Sequence, residues 1–146
     1  MSSTSAKILL VEDNPDDEEL TLRALRHHNI GDDVFVARDG VEALDFLFSR
    51  EITFTDMPDV VLLDLNLPRV NGHEVLKAMR ADERTRSLPV VVLTSSNEEH
   101  DIKRSYHCGA NSYIRKSVDY RKFIHAVEKI SDYWLGLNIG PVQPVN

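Results

Sequence analysis

Val60-Val61-Leu62-Leu63-Asp64-Leu65-Asn66-Leu67-Pro68 decides the fold of this 146-residue chain. The apolar run that opens it is too short for a stable helix and does not alternate with polar residues, which is the pattern of a strand buried on both faces. Pro68 cannot continue a ladder, so the strand stops and delivers Asp64 at its carboxyl end. Burying an ionised carboxylate is costly unless water, a cation or hydrogen-bond donors meet it. The bland reading is an acid that merely reaches solvent; the rest of the chain decides.

Working outward, Ala6–Val11 is a second short apolar run, and it ends at Glu12-Asp13. Asn14 is a good N-cap and Pro15 suits a first helical position. Asp16, Asp17, Glu18 and Glu19 answer the positive end of the helix dipole, so a helix starts there, buries Leu20, Leu22, Ala24 and Leu25, and ends near Asn29–Gly31. Residues 33–37 form a weak edge strand. Asp39-Gly40 leads into a helix with Val41, Leu44, Leu47 and Phe48 at helical spacing. After a loop at 50–58 and the central strand, Val75, Leu76 and Met79 mark the next helix. Leu88–Leu93 is a strand ending at Thr94-Ser95-Ser96. Asn97 caps a helix with a thin inner face, Ile102 and Tyr106, and Gly109 stops it. Residues 110–115 supply a fifth strand ending at Lys116. Phe123, Ile124, Val127, Ile130 and Trp134 make the last helix, followed by an apolar, Gly/Pro-punctuated tail at 135–146. Residues 1–5, small and polar, read as a disordered start.

Five strands alternating with five helices predict an α/β fold, a doubly wound parallel sheet whose ligands sit beyond the carboxyl ends of its strands. Glu12, Asp13, Asp64, Thr94 and Lys116 all fall at that edge. Carboxylates gathered there repel, by about 4 kcal/mol for a pair about 4 Å apart at an effective dielectric of about 20. A cation is required. Oxygen ligands without His or Cys at ligand spacing select a hard ion, and Mg²⁺ fits better than zinc. Lys116 and Thr94 supply a fixed charge and a hydroxyl suited to an incoming phosphoryl group, leaving Asp64 as nucleophile.

Over residues 6–134 the chain resembles the response-regulator receiver domain. The acidic pair Glu12-Asp13, Leu-Leu-Asp64-Leu-Asn-Leu-Pro with Asn71-Gly72, Thr94-Ser95, and Gly109-Ala110-Asn111-Ser112-Tyr113-Ile114-Arg115-Lys116 carry the resemblance. It implies a flavodoxin-like five-stranded sheet in order 2-1-3-4-5. It also implies phosphoryl transfer to Asp64 from a sensor histidine kinase, and Mg²⁺ held by Asp13, Asp64 and the Asn66 carbonyl, with Glu12 assisting through water. Lys116 and Thr94 would hold the phosphoryl oxygens, and Tyr113 would turn inward with Thr94 as the switch. Glu12–Asp17 and Tyr133–Asn138 look like the small regulators that accompany phytochrome-type kinases. One departure is Ser117, where the family usually has Pro after a cis bond. A non-proline cis bond costs about 2.5–4 kcal/mol, so Lys116–Ser117 is expected to be trans with the ammonium still on Asp64.

The totals narrow the function. A formal net charge of −7 argues against sequence-independent nucleic-acid binding, and no apolar run reaches membrane-spanning length. One cysteine, Cys108, allows no intrachain disulfide. With no signal-peptide pattern, the expected location is the cytoplasm. The expected product is a switched conformation, so the chain is read as a single-domain signalling protein and not as an enzyme. The rival phosphatase of the dehalogenase type needs an acid where Asn66 stands; the other rival, a flavodoxin-like or phosphorylation-independent adaptor domain, lacks the hydroxyl- and Gly-rich phosphate loop after the first strand, where Glu12–Asp17 would repel a flavin phosphate. His27-His28, His100, His107 and Cys108 carry no metal pattern. Trp134, Leu135, Leu137, Ile139 and Val142 are too apolar for a free end and are expected to pack either on this molecule's own surface or, as the favoured alternative, on a second copy across the fourth helix, fifth strand and fifth helix, giving a homodimer.

Overall fold

The computed structural model describes residues 7–27, 33–49 and 57–141. The disordered start expected at 1–5, most of the 50–58 loop, and Val142 lie outside those residues. The elements are β1 (Ile8–Val11), α1 (Pro15–His27), β2 (Val34–Ala37), α2 (Gly40–Phe48), β3 (Val60–Leu63), α3 (Gly72–Ala81), β4 (Val90–Thr94), α4 (Glu99–His107), β5 (Ser112–Arg115) and α5 (Tyr120–Ser131). A π-helical turn at Asp132–Leu137 follows.

The strands form one sheet in order β2-β1-β3-β4-β5, every pair parallel. The alternation of strand side chains divides the core in two. Leu9, Val11, Val61, Leu63 and Val90 meet α2 and α3 on one face, while Ile8, Leu10, Val60, Leu62, Val91 and Leu93 meet α1 and α5 on the other. All residues of β1, β3 and β4 are buried. β2 is the edge expected from its weaker pattern: its Phe35 is exposed and stacks on Phe46 of α2 with ring centroids 4.2 Å apart.

The helices correct the sequence reading in their phase. In α1 the buried positions are Thr21, Ala24 and Leu25, with Leu20 and Leu22 half-buried. Thr21 is tolerated there because its Oγ1 donates to the Asp17 carbonyl at 2.7 Å. In α2 the inner face is Ala43, Phe46 and Leu47, not one centred on Val41 and Leu44. Helix α4 starts one residue later than an Asn97 cap would place it, with Glu98 at the N-cap position and no side-chain cap bond. Its one buried residue is Ser105; Tyr106, expected inside, is half exposed. The last α-helix ends at Ser131, yet the helical path runs to Leu137 through the π turn, past Trp134. Trp134 and Leu135 pack on the α1/α5 layer, whereas Leu137 and Ile139 stay exposed.

Candidate functional site: a buried lysine among three carboxylates

The register lines up the strand ends. Val11 pairs with Leu63, and Thr94 with Arg115. Glu12, Asp64 and Lys116 each stand one residue beyond β1, β3 and β5. The ladder carries on into them through Asp64 N–H to Val11 O at 3.0 Å and Lys116 N–H to Thr94 O at 2.7 Å. Continuing each strand's alternation, all three share the parity of Leu10, Leu62 and Ile114, which belong to the α1/α5 layer. They therefore converge beside the start of α1.

There the Lys116 Nζ lies 2.6 Å from Glu12 Oε1, 2.8 Å from Asp17 Oδ2 and 3.0 Å from Asp64 Oδ2. Lys116, Glu12 and Asp64 are all buried. Burial by itself lowers the Lys116 pKa, but Asp17, Asp64 and Glu12 outweigh it and hold the ammonium well above its ordinary value. Glu12, the most buried of the acids, is pushed up to about 7: burial raises it, the Lys116 hydrogen bond and charge work against that, and the Asp64 charge adds to it.

Asp17 is the residue that the sequence reading missed, since an acid in a first helical turn already has the dipole as its explanation. Its one signal is position, a helical turn beyond the strand end. Helix α1 is aimed by Asn14, whose Oδ1 accepts from Asp16 N at 2.9 Å and Asp17 N at 3.1 Å, while Glu12 Oε2 accepts from Asn14 N at 3.2 Å.

Thr94, the last residue of β4, is fully buried, and among the described residues its Oγ1 is the buried side-chain polar atom with no hydrogen-bond partner. Tyr113 is half-buried and donates its hydroxyl to the Ser96 carbonyl at 2.8 Å. Asp13 and Asn66 are exposed, and the Asn66 amide donates to Asp64 Oδ1 at 3.3 Å. Lys116–Ser117 is trans, as expected.

The loop after Asp64 is pinned by its neighbours. A Cβ on Gly72 would lie 2.4 Å from the Asp64 carbonyl oxygen, so only glycine lets α3 start this close to the acid. Asn71 and Glu74 form a reciprocal capping box at that start. Arg69 adopts φ 66°, and its guanidinium holds Asp39, the N-cap of α2, at 2.7 Å.

Oxygen atoms of Glu12, Asp13 and Asp64 lie within 4.8 Å of one another, an all-oxygen donor set that suits a hard divalent cation. A second group, Glu98, His100 and Asp101, also brings one ligand atom from each residue within 4.8 Å of the others. The His100 nitrogens lie 3.2 Å from Glu98 and 3.3 Å from Asp101 at the exposed start of α4.

The response regulator receiver domain family matches residues 8–128. The chain belongs to that family. The probable methanogenesis regulatory protein FilR2 of Methanothrix harundinacea is 43% identical over 134 residues, 92% of this chain and 86% of its own. Response regulator Rcp1 of Synechocystis sp. is 37% identical over 129 residues, 88% of each chain. The Mn²⁺-bound structure of Rcp1 superposes with a TM-score of 0.84 at 36% identity, covering 92% of this chain and 98% of that one. The phosphorylated cyanobacterial phytochrome response regulator RcpA gives 0.85 at 37% identity, covering 94% and 99%. This receiver domain is thus a response regulator similar to phytochrome-associated ones. Among its described residues no helix is long and apolar enough to cross a membrane.

Proposed function

We infer that this receiver domain accepts a phosphoryl group on Asp64 from a histidine kinase of the phytochrome type and answers with a change of conformation. An Asp64 carboxylate oxygen bonds to phosphorus as the phosphorus–nitrogen bond of a phosphohistidine breaks. The observation that carries this reading is the pairing of a buried, lysine-held carboxylate with a buried Thr94 hydroxyl that has no partner. Leaving a hydroxyl unbonded costs about 1–3 kcal/mol, and an acceptor oxygen on Asp64 removes that cost. Lys116 neutralises the same group.

Asp13, Asp64 and the Asn66 carbonyl would hold Mg²⁺, with Glu12 assisting through water. When bound, the ion supplies positive charge against the phosphoryl oxygens. Thr94 moving toward the phosphoryl group draws on the β4–α4 loop, whose Ser96 carbonyl holds Tyr113, so the rotamer of Tyr113 and the position of α4 shift together. The product is a conformation, so the protein is a signalling switch and not an enzyme in the ordinary sense. Exposed Tyr106, Val118, Tyr120, Tyr133, Leu137 and Ile139, spread over α4, the β5–α5 loop, α5 and the tail, support a homodimer across that face.

The test is intact mass after incubation with acetyl phosphate, with and without Mg²⁺, beside Asp64→Asn. A single phosphoryl adduct that needs both Asp64 and the metal is expected. Equal labelling of the variant, or labelling indifferent to Mg²⁺, overturns the reading.

A further inference from the structure

A cleft of about 320 Å³ opens between the carboxyl ends of α3 and α4, lined by Lys77, Arg80, Arg104, His107 and Cys108. It lies at the opposite end of α3 from Gly72 and Asp64. In a chain of net charge −7 its lining holds basic groups and no acid. Among the described residues none of those basic groups forms an ion pair with a carboxylate.

Basic residues in a last helical turn often answer the carbonyl end of the helix. Here several of those carbonyls already have donors from the chain itself. The carbonyls of Arg104, Ser105 and Tyr106 accept from the amides of Cys108, Ala110 and Gly109, and Met79 O accepts from Asp82 N and Thr85 Oγ1. Arg80 spends its donors on the carbonyls of Gly109, Thr85, Arg86 and Leu88 and on Asn111 Oδ1, at 2.8–3.1 Å. It is half-buried, and burial lowers its pKa from the ordinary value with no carboxylate to offset it. Its hydrogen bonds are satisfied while its charge is not. Lys77 and Arg104 are exposed, on separate helices, with their donors available.

We propose that this cleft binds a small multiply charged anion, for which pyrophosphate is the probe, bridged between Lys77 of α3 and Arg104 of α4 over the fixed charge of Arg80. Cationic side chains from two separate helices line this one cleft, which is the size of the smaller pockets that hold small molecules. The ligand ties α3 to α4, two helices that Ser105 and His73 already join through a 3.0 Å hydrogen bond.

Cys108 is the chain's single cysteine and lines the cleft, so its thiol reports on the site. The full chain, metal-free in EDTA, is reacted with the dianionic reagent dithiobis(nitrobenzoate) and with neutral dithiodipyridine, with and without millimolar pyrophosphate at constant ionic strength. Pyrophosphate is expected to slow both reagents at least fivefold. In Lys77→Glu/Arg104→Glu the protection disappears, and the ratio of anionic to neutral rates falls at least tenfold. Amide chemical shifts of Lys77, Arg104 and Cys108, titrated with pyrophosphate, decide the matter should the thiol react slowly with both reagents. Saturable shifts confined to the cleft support the site. No protection beyond that of matched sodium chloride together with no saturable shift, or identical behaviour in the double variant, overturns it.

Discussion

Replacing Lys116 by Met keeps the length of the side chain and removes the one ammonium around which Glu12, Asp17 and Asp64 gather at 2.6–3.0 Å. Each contact is worth about 5 kcal/mol of gross attraction at about 3 Å and an effective dielectric of about 20, most of it offset by desolvation. The net loss is smaller. Breaking one side of a buried pair costs about 3–5 kcal/mol, but two features of this site lower that figure. Glu12, already at about 7, takes a proton at little cost, and Asp17, with its side chain 26% exposed, can turn to water. A loss of about 2–4 kcal/mol is expected at pH 7.5, which is a large share of the roughly 5–15 kcal/mol that holds a domain together. Urea unfolding in EDTA, read from the midpoint at constant slope, measures it. The loss should shrink at pH 5.5, below the raised pKa of Glu12, where that carboxyl is protonated and no longer needs the ammonium. Mg²⁺ at about a hundredfold excess over its dissociation constant adds about 2.7 kcal/mol, and it should restore the variant more than the wild type because it replaces the missing cation. A variant as stable as wild type in EDTA, or an equal gain from Mg²⁺ in both proteins, refutes the reasoning.

Because the folded-state pKa of Glu12 is raised, from 4.5 to about 7, its contribution to stability is fully present below about 4.5 and is lost as pH rises through about 7. Metal-free stability should therefore fall by about 3 kcal/mol over that range from this group, and Glu12→Gln should flatten the profile in urea midpoints taken from pH 5 to 8. Thr94→Val removes an unbonded buried hydroxyl, so the resting protein should gain about 1 kcal/mol while the phosphorylated form loses its response at Tyr113; a destabilised resting variant would show that Thr94 has a partner. Gly72→Ala forces a Cβ against the Asp64 carbonyl oxygen and should cost at least about 2 kcal/mol in thermal or urea unfolding, with acetyl-phosphate labelling falling in step. Leu137→Ser/Ile139→Ser should convert a homodimer to a monomer in sedimentation without loss of helical circular dichroism; a wild type that stays monomeric at all concentrations removes the proposed interface.

The strands and their endings were legible in the chain. Val60–Leu63, Ile8–Val11 and Val90–Leu93 are continuous apolar runs, and a strand buried on both faces admits little else. A polar residue directly after each run is visible without coordinates, and so were Asp64, Glu12 and Thr94; Lys116 stands two residues after the shorter pair Tyr113-Ile114. Helix faces were harder. A helix spends its apolar residues on whichever neighbours the fold supplies, so the phase of α2 and the buried Ser105 of α4, bonded to His73, follow from packing that no local pattern records. Asp17 shows the same division: its residue type suited the dipole, but only the seating of α1 beside the sheet edge brings it onto Lys116. Local alternation and chain-breaking residues determine where an element starts, stops and exposes a charge. Which charges then share one ammonium depends on register and helix placement, because Coulomb energy follows distances in space that only the assembled sheet decides.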